Sequence, residues 1–129
     1  MTEEKNKYIK QWLEKAEEDL QVYSLIMKDE EPFLASAGFH LQQSAEKFLK
    51  AFLEYNGVFF VRTHDIEYLL KECILIEDSF SEIQFENISD YAVDMRYPGD
   101  MVLPSKRELD LNYEQVLKIR QLVLSLINF

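Results

Sequence analysis

The sequence predicts an all-α fold, an antiparallel up-down bundle of about five helices. Three observations point to it. Apolar residues recur at steps of three and four along most of the chain. Long tracts rich in Glu, Lys and Leu favour helix. Only three Gly and three Pro interrupt 129 residues, too few turn residues for a sandwich or barrel.

The first helix is expected over about Thr2–Met27. Ile9, Trp12, Leu13, Ala16, Leu20, Tyr23 and Met27 share one face, and Glu30-Glu31-Pro32 separates this helix from the next. The second covers about Phe33–Asn56, with Ala37, Leu41, Ala45, Phe48, Phe52 and Tyr55 on a wide apolar face. Gly57 suits its C-terminal cap, a position that calls for the left-handed conformation. Val58-Phe59-Phe60-Val61 has strand-like composition but no partner strand elsewhere, so it reads as a connection. Thr63 is the expected N-cap of a short third helix, His64–Glu77. A fourth helix is expected over Ser81–Met95, with Phe85, Ile88, Tyr91, Ala92 and Met95 inward. After the loop Arg96–Pro104, Ser105-Lys106-Arg107-Glu108 has capping-box spacing. The last helix then runs to about Asn128, with Leu109, Tyr113, Val116, Leu117, Val123, Leu124 and Ile127 inward.

No linker, repeat or low-complexity tract divides the chain, so residues 1–129 read as a single domain. No apolar run approaches the roughly 20 residues of a membrane span. The charged start Met1-Thr2-Glu3-Glu4-Lys5 lacks the apolar core of a signal peptide, so a cytoplasmic location is expected. The formal charge of −10, from 14 Lys and Arg against 24 Asp and Glu, opposes a broad electrostatic grip on nucleic acid but leaves room for a small basic site. Cys73 is the single cysteine and sits among apolar neighbours, which excludes an internal disulfide and a thiolate metal cage. No Gly-rich phosphate loop, Cys-x-x-Cys, His-Glu-x-x-His or nucleophile-elbow pattern occurs. The two histidines have no metal-ligand spacing. Neither a metal nor a cofactor is expected.

The polar positions His40, Gln43, Lys47 and Lys50 fall in an arc of roughly 80° beside the apolar face of the second helix. Two cations and two neutral hydrogen-bonding groups there could hold a phosphate and a base edge. A solvated flank, with Glu46 and Glu54 pairing the lysines, is the competing account. His64 would add a donor where a helix N-terminus attracts anions, although capping by Thr63 alone explains the local sequence. Arg96-Tyr97-Pro98 is sufficient as a helix end, and acquires function only if Arg96 faces the polar stripe. Arg120 falls in the apolar arc between Leu117 and Leu124. It therefore needs a partner, with Asp19 and Glu46 as candidates, or a place in a groove or interface.

These pieces resemble the HEPN domain family, small helical proteins of prokaryotes and some higher eukaryotes. Trp12 with Ala16-Glu17-Glu18-Asp19-Leu20 looks like the family's first helix. Phe39-His40 through Gln43-Ser44-Ala45-Glu46-Lys47 and Lys50-Ala51 is similar to its signature second helix. Thr63-His64 with Leu69-Leu70, then Arg96-Tyr97-Pro98, follow in family order, so the resemblance covers nearly the whole chain. It implies an up-down bundle that commonly dimerises and an association with nucleotides or RNA. It also implies a working partner, since many relatives act beside a minimal nucleotidyltransferase, some as toxin–antitoxin modules. The toxic members are metal-independent RNases whose motif is Arg, then four to six residues, then His.

None of Arg62, Arg96, Arg107 and Arg120 is followed by His at that spacing. Without that imidazole the motif has no group suited to proton transfer near neutral pH. The expected function is therefore a noncatalytic nucleotide- or RNA-binding protein, partner of a minimal nucleotidyltransferase. The alternatives are a divergent RNase toxin using His40 or His64 and a pure protein-interaction module. The expected site is a small anion-binding cleft of His40, Gln43, Lys47 and Lys50, completed by His64 and Arg96, with no catalytic residue. Phe59 and Phe60, placed in a connection, favour a homodimer.

Overall fold

The computed structural model of the chain describes residues 1–92 and 103–129. Helix α1, Glu3–Met27, is capped by Thr2, whose hydroxyl accepts from the Lys5 N–H at 3.1 Å. Helix α2, Leu34–Tyr55, ends where Gly57 takes φ +69°. There the Gly57 and Val58 N–H groups reach the Glu54 and Leu53 carbonyls at 3.1 and 3.0 Å. Helix α3, Ile66–Ile76, starts two residues later than Thr63 suggested. Asp65 is its cap, accepting from the Tyr68 N–H at 3.1 Å, while Thr63 accepts from Asp65 at 3.0 Å. His64 thus lies in the connection, outside the helix. Helix α4, Lys106–Leu126, begins at Ser105, whose hydroxyl accepts from the Glu108 N–H at 3.0 Å.

The helix expected over 81–95 is replaced, as far as residue 92, by two 3₁₀ turns, Asp78–Glu82 and Ile88–Ala92. Residues 93–95 lie outside the described residues, as does the Arg96-Tyr97-Pro98 corner. Tertiary hydrogen bonds explain the change. Asn112, buried on α4, donates to the Glu86 carbonyl and accepts from its N–H, both at 2.8 Å. Gln115 accepts from the Gln84 N–H at 2.9 Å. Asn87 then turns the chain at φ 55°. These bonds satisfy backbone groups that a helix would have paired internally.

Tyr91 closes the same corner. Its hydroxyl donates to Glu108 and accepts from the Asn112 amide at 2.9 Å. Burial, then the Glu108 carboxylate, pushes that hydroxyl well above the ordinary phenol range, so it stays a donor. Glu108 is spent there and on Asn87, so only half of the expected capping box forms. Gly38 lets α2 approach: a Cβ there would sit 3.2 Å from the Tyr91 ring and 3.4 Å from Pro104.

Contacts along α2 give the topology. Asp19 meets Lys47 while Trp12 lies under Lys50, so α1 runs antiparallel to α2. Gly38 lies near Pro104 and Tyr55 near Asn128, so α4 runs in the direction of α2 and antiparallel to α1. His64 lies against Glu46 and Cys73 against Leu49, so α3 also follows the sense of α2. The connection 57–65 makes the return from α2 to α3 without helix or strand. Val58–Val61 is part of it, and no strand occurs among the described residues.

All other helices pack on α2, which buries residues around most of its circumference. Leu41, Phe48, Leu49 and Leu53 meet Ile9, Leu69, Phe80 and Ile119 in one core. Each such side chain contributes about 1.5–3 kcal/mol through burial. Cys73 belongs to this core, and burial pushes its thiol far above the ordinary range, leaving it unreactive. On α4 the buried positions are Leu109, Asn112, Val116, Ile119 and Val123. That face is rotated from the expected one, so Leu124 is exposed and Arg120 sits at the margin. Arg120 pairs with Glu17, not with Asp19 or Glu46.

Asn112→Ala should lower unfolding stability by about 2–3 kcal/mol, because two backbone groups of Glu86 lose their partner. A shift of the urea midpoint with an unchanged helical far-ultraviolet spectrum is the expected result.

Candidate functional site on the second helix

The polar flank of α2 is organised by two buried carboxylates that bring the expected site residues together in two clusters. Asp19, 8% exposed on α1, faces α2. It accepts from the Lys47 ammonium at 2.5 Å and holds His40 Nδ1 at 2.9 Å. Glu46, 3% exposed on α2 itself, accepts from the Lys50 ammonium at 2.9 Å and from the Gln42 amide at 3.1 Å. Its other contact is His64 Nδ1, at 2.7 Å. Gln42 also donates to the His64 carbonyl at 3.1 Å, and Gln43 donates to the Gln42 side chain at 2.7 Å. Gln43 therefore joins the Glu46 cluster through Gln42. Arg96 lies outside the described residues.

Helix spacing makes these clusters. Residues 40 and 47 lie two turns apart on one margin of α2 and both reach Asp19 on α1. Glu46 is four residues from both Gln42 and Lys50, the spacing at which helical side chains meet. His64 arrives because the Gln42 amide fastens the end of the return connection beside Glu46.

The chemistry follows from the charges. A carboxylate only accepts, so each imidazole donates from a protonated Nδ1, and in the neutral ring Nε2 is left as an acceptor. The His64 side chain is 66% exposed, and His40 is half-buried. Each lysine has a carboxylate of its own, so the four charged side chains sum to zero with neutral imidazoles. Lys50 is buried beneath this arrangement, with its ammonium 5.7 Å from the Trp12 ring centre. The stripe thus presents Lys47 and two outward imidazoles rather than a continuous cationic surface.

Sequence reasoning did not single out Asp19 or Gln42 as site residues. Asp19 borders the apolar face of α1, and a carboxylate at such a border is a signal for a buried ion pair. Gln42 carried no such signal, because its role depends on where the connection ends. No group of three or more His, Cys, Asp or Glu side chains among the described residues could hold a metal ion.

Glu46→Ala should cost about 3–5 kcal/mol, since Lys50 would remain buried without its counter-charge. Combining Glu46→Leu with Lys50→Met should recover a large share of that loss in a chemical unfolding experiment, because no buried charge is then left alone.

A protein of Methanocaldococcus jannaschii named "Putative toxin MJ1304" is 31% identical over 134 residues, covering 94% of this chain and 86% of that protein. No solved structure matches the chain. The model of the HEPN domain matches residues 9–127, from the first core residue of α1 to the end of α4. This protein belongs to the HEPN domain family.

Proposed function

We propose that this protein is a noncatalytic nucleotide- or RNA-binding member of its family and the partner of a minimal nucleotidyltransferase. One observation carries the reading. His40, Lys47 and His64 are held along one flank of α2 by buried carboxylates, with Gln43 tied into the same network. Preorganised groups of this kind suit a local site, with the Lys47 ammonium donating to a phosphate and the imidazole Nε2 atoms accepting from a base edge. Arg96 is assigned to the same site from its place in the family pattern.

Binding at such a site is modest. A phosphate must compete with Asp19 for Lys47, and the protein carries a net charge of −10. Lys47→Ala and Arg96→Ala should each weaken binding of a labelled short RNA or nucleotide about tenfold, or about 1.4 kcal/mol. The salt dependence should reflect one or two phosphate contacts. Unchanged affinity in both folded variants would remove the site.

A second reading, a divergent RNase toxin, is favoured by one feature. The exposed His64 imidazole is oriented by buried Glu46 much as a general base is oriented by a carboxylate. The relative's name points the same way. The purified protein is expected to leave transfer RNA intact. Cleavage that disappears in His64→Ala would establish the second reading instead.

The protein acts as a homodimer in this proposal. Phe59 stands 87% exposed in the connection after α2, where a partner subunit would cover it. Light scattering should give twice the chain mass of 15.4 kDa. A concentration-independent monomer would contradict the dimer.

A further inference from the structure

Helices α1 and α4 lie side by side on α2 but leave a groove between them. Tyr113 lines it and is held from behind by stacking on buried Tyr23, with ring centres 5.0 Å apart and an interplanar angle of 21°. The groove has a volume of about 390 Å³, within the range of small-molecule sites. Leu25 and Leu117 supply apolar walls, and Tyr113 adds an aromatic one. Arg120 and Lys28 place two cations against the single carboxylate of Glu17, a net positive groove in a protein of charge −10.

The guanidinium is held but not used up. Arg120 donates to Glu17 through Nε, and its two Nη groups make no hydrogen bond among the described residues. Lys28 has no ion pair among those residues. A guanidinium fixed at Nε and open at Nη presents donors to a carboxylate, sulfonate or phosphate oxygen. The surrounding acidic protein repels polyanions, whereas a single negative charge experiences mainly the local cations. From this combination we infer that the α1–α4 groove is a second ligand site, taking a small monoanion with a planar apolar body. The body lies along Tyr113 and Leu117, and the anionic group meets Arg120 and Lys28.

This inference is independent of the α2 flank. Glu17 and Asp19 are two residues apart, about 200° around α1, so the groove and the Asp19 cluster occupy opposite margins of its buried face.

Anilinonaphthalene sulfonate, a planar monoanion whose fluorescence rises in apolar surroundings, is the probe. The folded protein should bind it saturably at one site. Phenylnaphthylamine, which has the same rings without the sulfonate, should bind about tenfold more weakly. Arg120→Gln and Lys28→Gln should each weaken sulfonate binding about five- to tenfold, while Arg120→Lys retains part of the affinity. Lys71→Gln removes the same charge from an exposed position on α3 and should leave the affinity unchanged. Equal weakening by Lys71→Gln would show a general charge effect and overturn the site. Unchanged affinity in both Arg120→Gln and Lys28→Gln, or equal binding of the two dyes, would also overturn it.

Discussion

A single carboxylate buried in the middle of α2 constrains much of this molecule. Glu46 has left water almost entirely, at a cost of several kcal/mol for an ion of its size. Three donors offset that cost: the Lys50 ammonium, the Gln42 amide and the His64 imidazole. Two of them come from α2 itself, so the helix must be formed before the site exists. The third comes from the return connection, which Gln42 also grips at the His64 carbonyl. The end of that connection is thereby set, and Asp65 can start α3 immediately after it. Asp19 does the corresponding work between α1 and α2, through Lys47 and His40.

The same pairs limit what the site can do. Charged helix flanks are usually solvated and carry little structural weight, but this one is largely buried and its charges are matched. Lys50 is committed to Glu46 and to the Trp12 ring, so it supports the site from below. Lys47 and the outward nitrogens of the two imidazoles are left for a ligand. That inventory is one cation and two neutral acceptors, too few positive charges for a tract of nucleic acid. The opposite margin of α1 holds a different balance, two cations against Glu17, within an open groove. Two clusters of unlike charge balance therefore share α1 without sharing a residue.

Much of the fold was legible because its signals are local. Ser105 caps the helix it was expected to cap, the first helix starts within a residue of the expected Thr2, and Gly57 ends α2 in the left-handed conformation. The 3.6-residue periodicity placed Ile9, Leu41, Phe48, Leu69, Leu109 and Val116 in the core. Local rules failed where distant groups decided the outcome. Residues 81–92 have helical periodicity, yet Asn112 and Gln115 of α4 capture the backbone of Glu86 and Gln84. Thr63 and Asp65 both suit a cap, and the hold on His64 favours the later one. Arg120 was misplaced because polar Asn112 is part of the buried face of α4 and exposed Leu124 is not, which rotates that face. At the site, the helical wheel put His40, Gln43, Lys47 and Lys50 in one arc of α2. It could not show that Asp19 and Glu46 divide them into two matched clusters.

The central claim is that Glu46 orients His64. It is tested most directly by the imidazole tautomer, read from the ¹⁵N chemical shifts of His64 at mildly alkaline pH. The account predicts a proton held on Nδ1 in the wild type and a mixture of the two tautomers in Glu46→Leu combined with Lys50→Met. A wild-type His64 already averaged between tautomers, or protonated on Nε2, would contradict it.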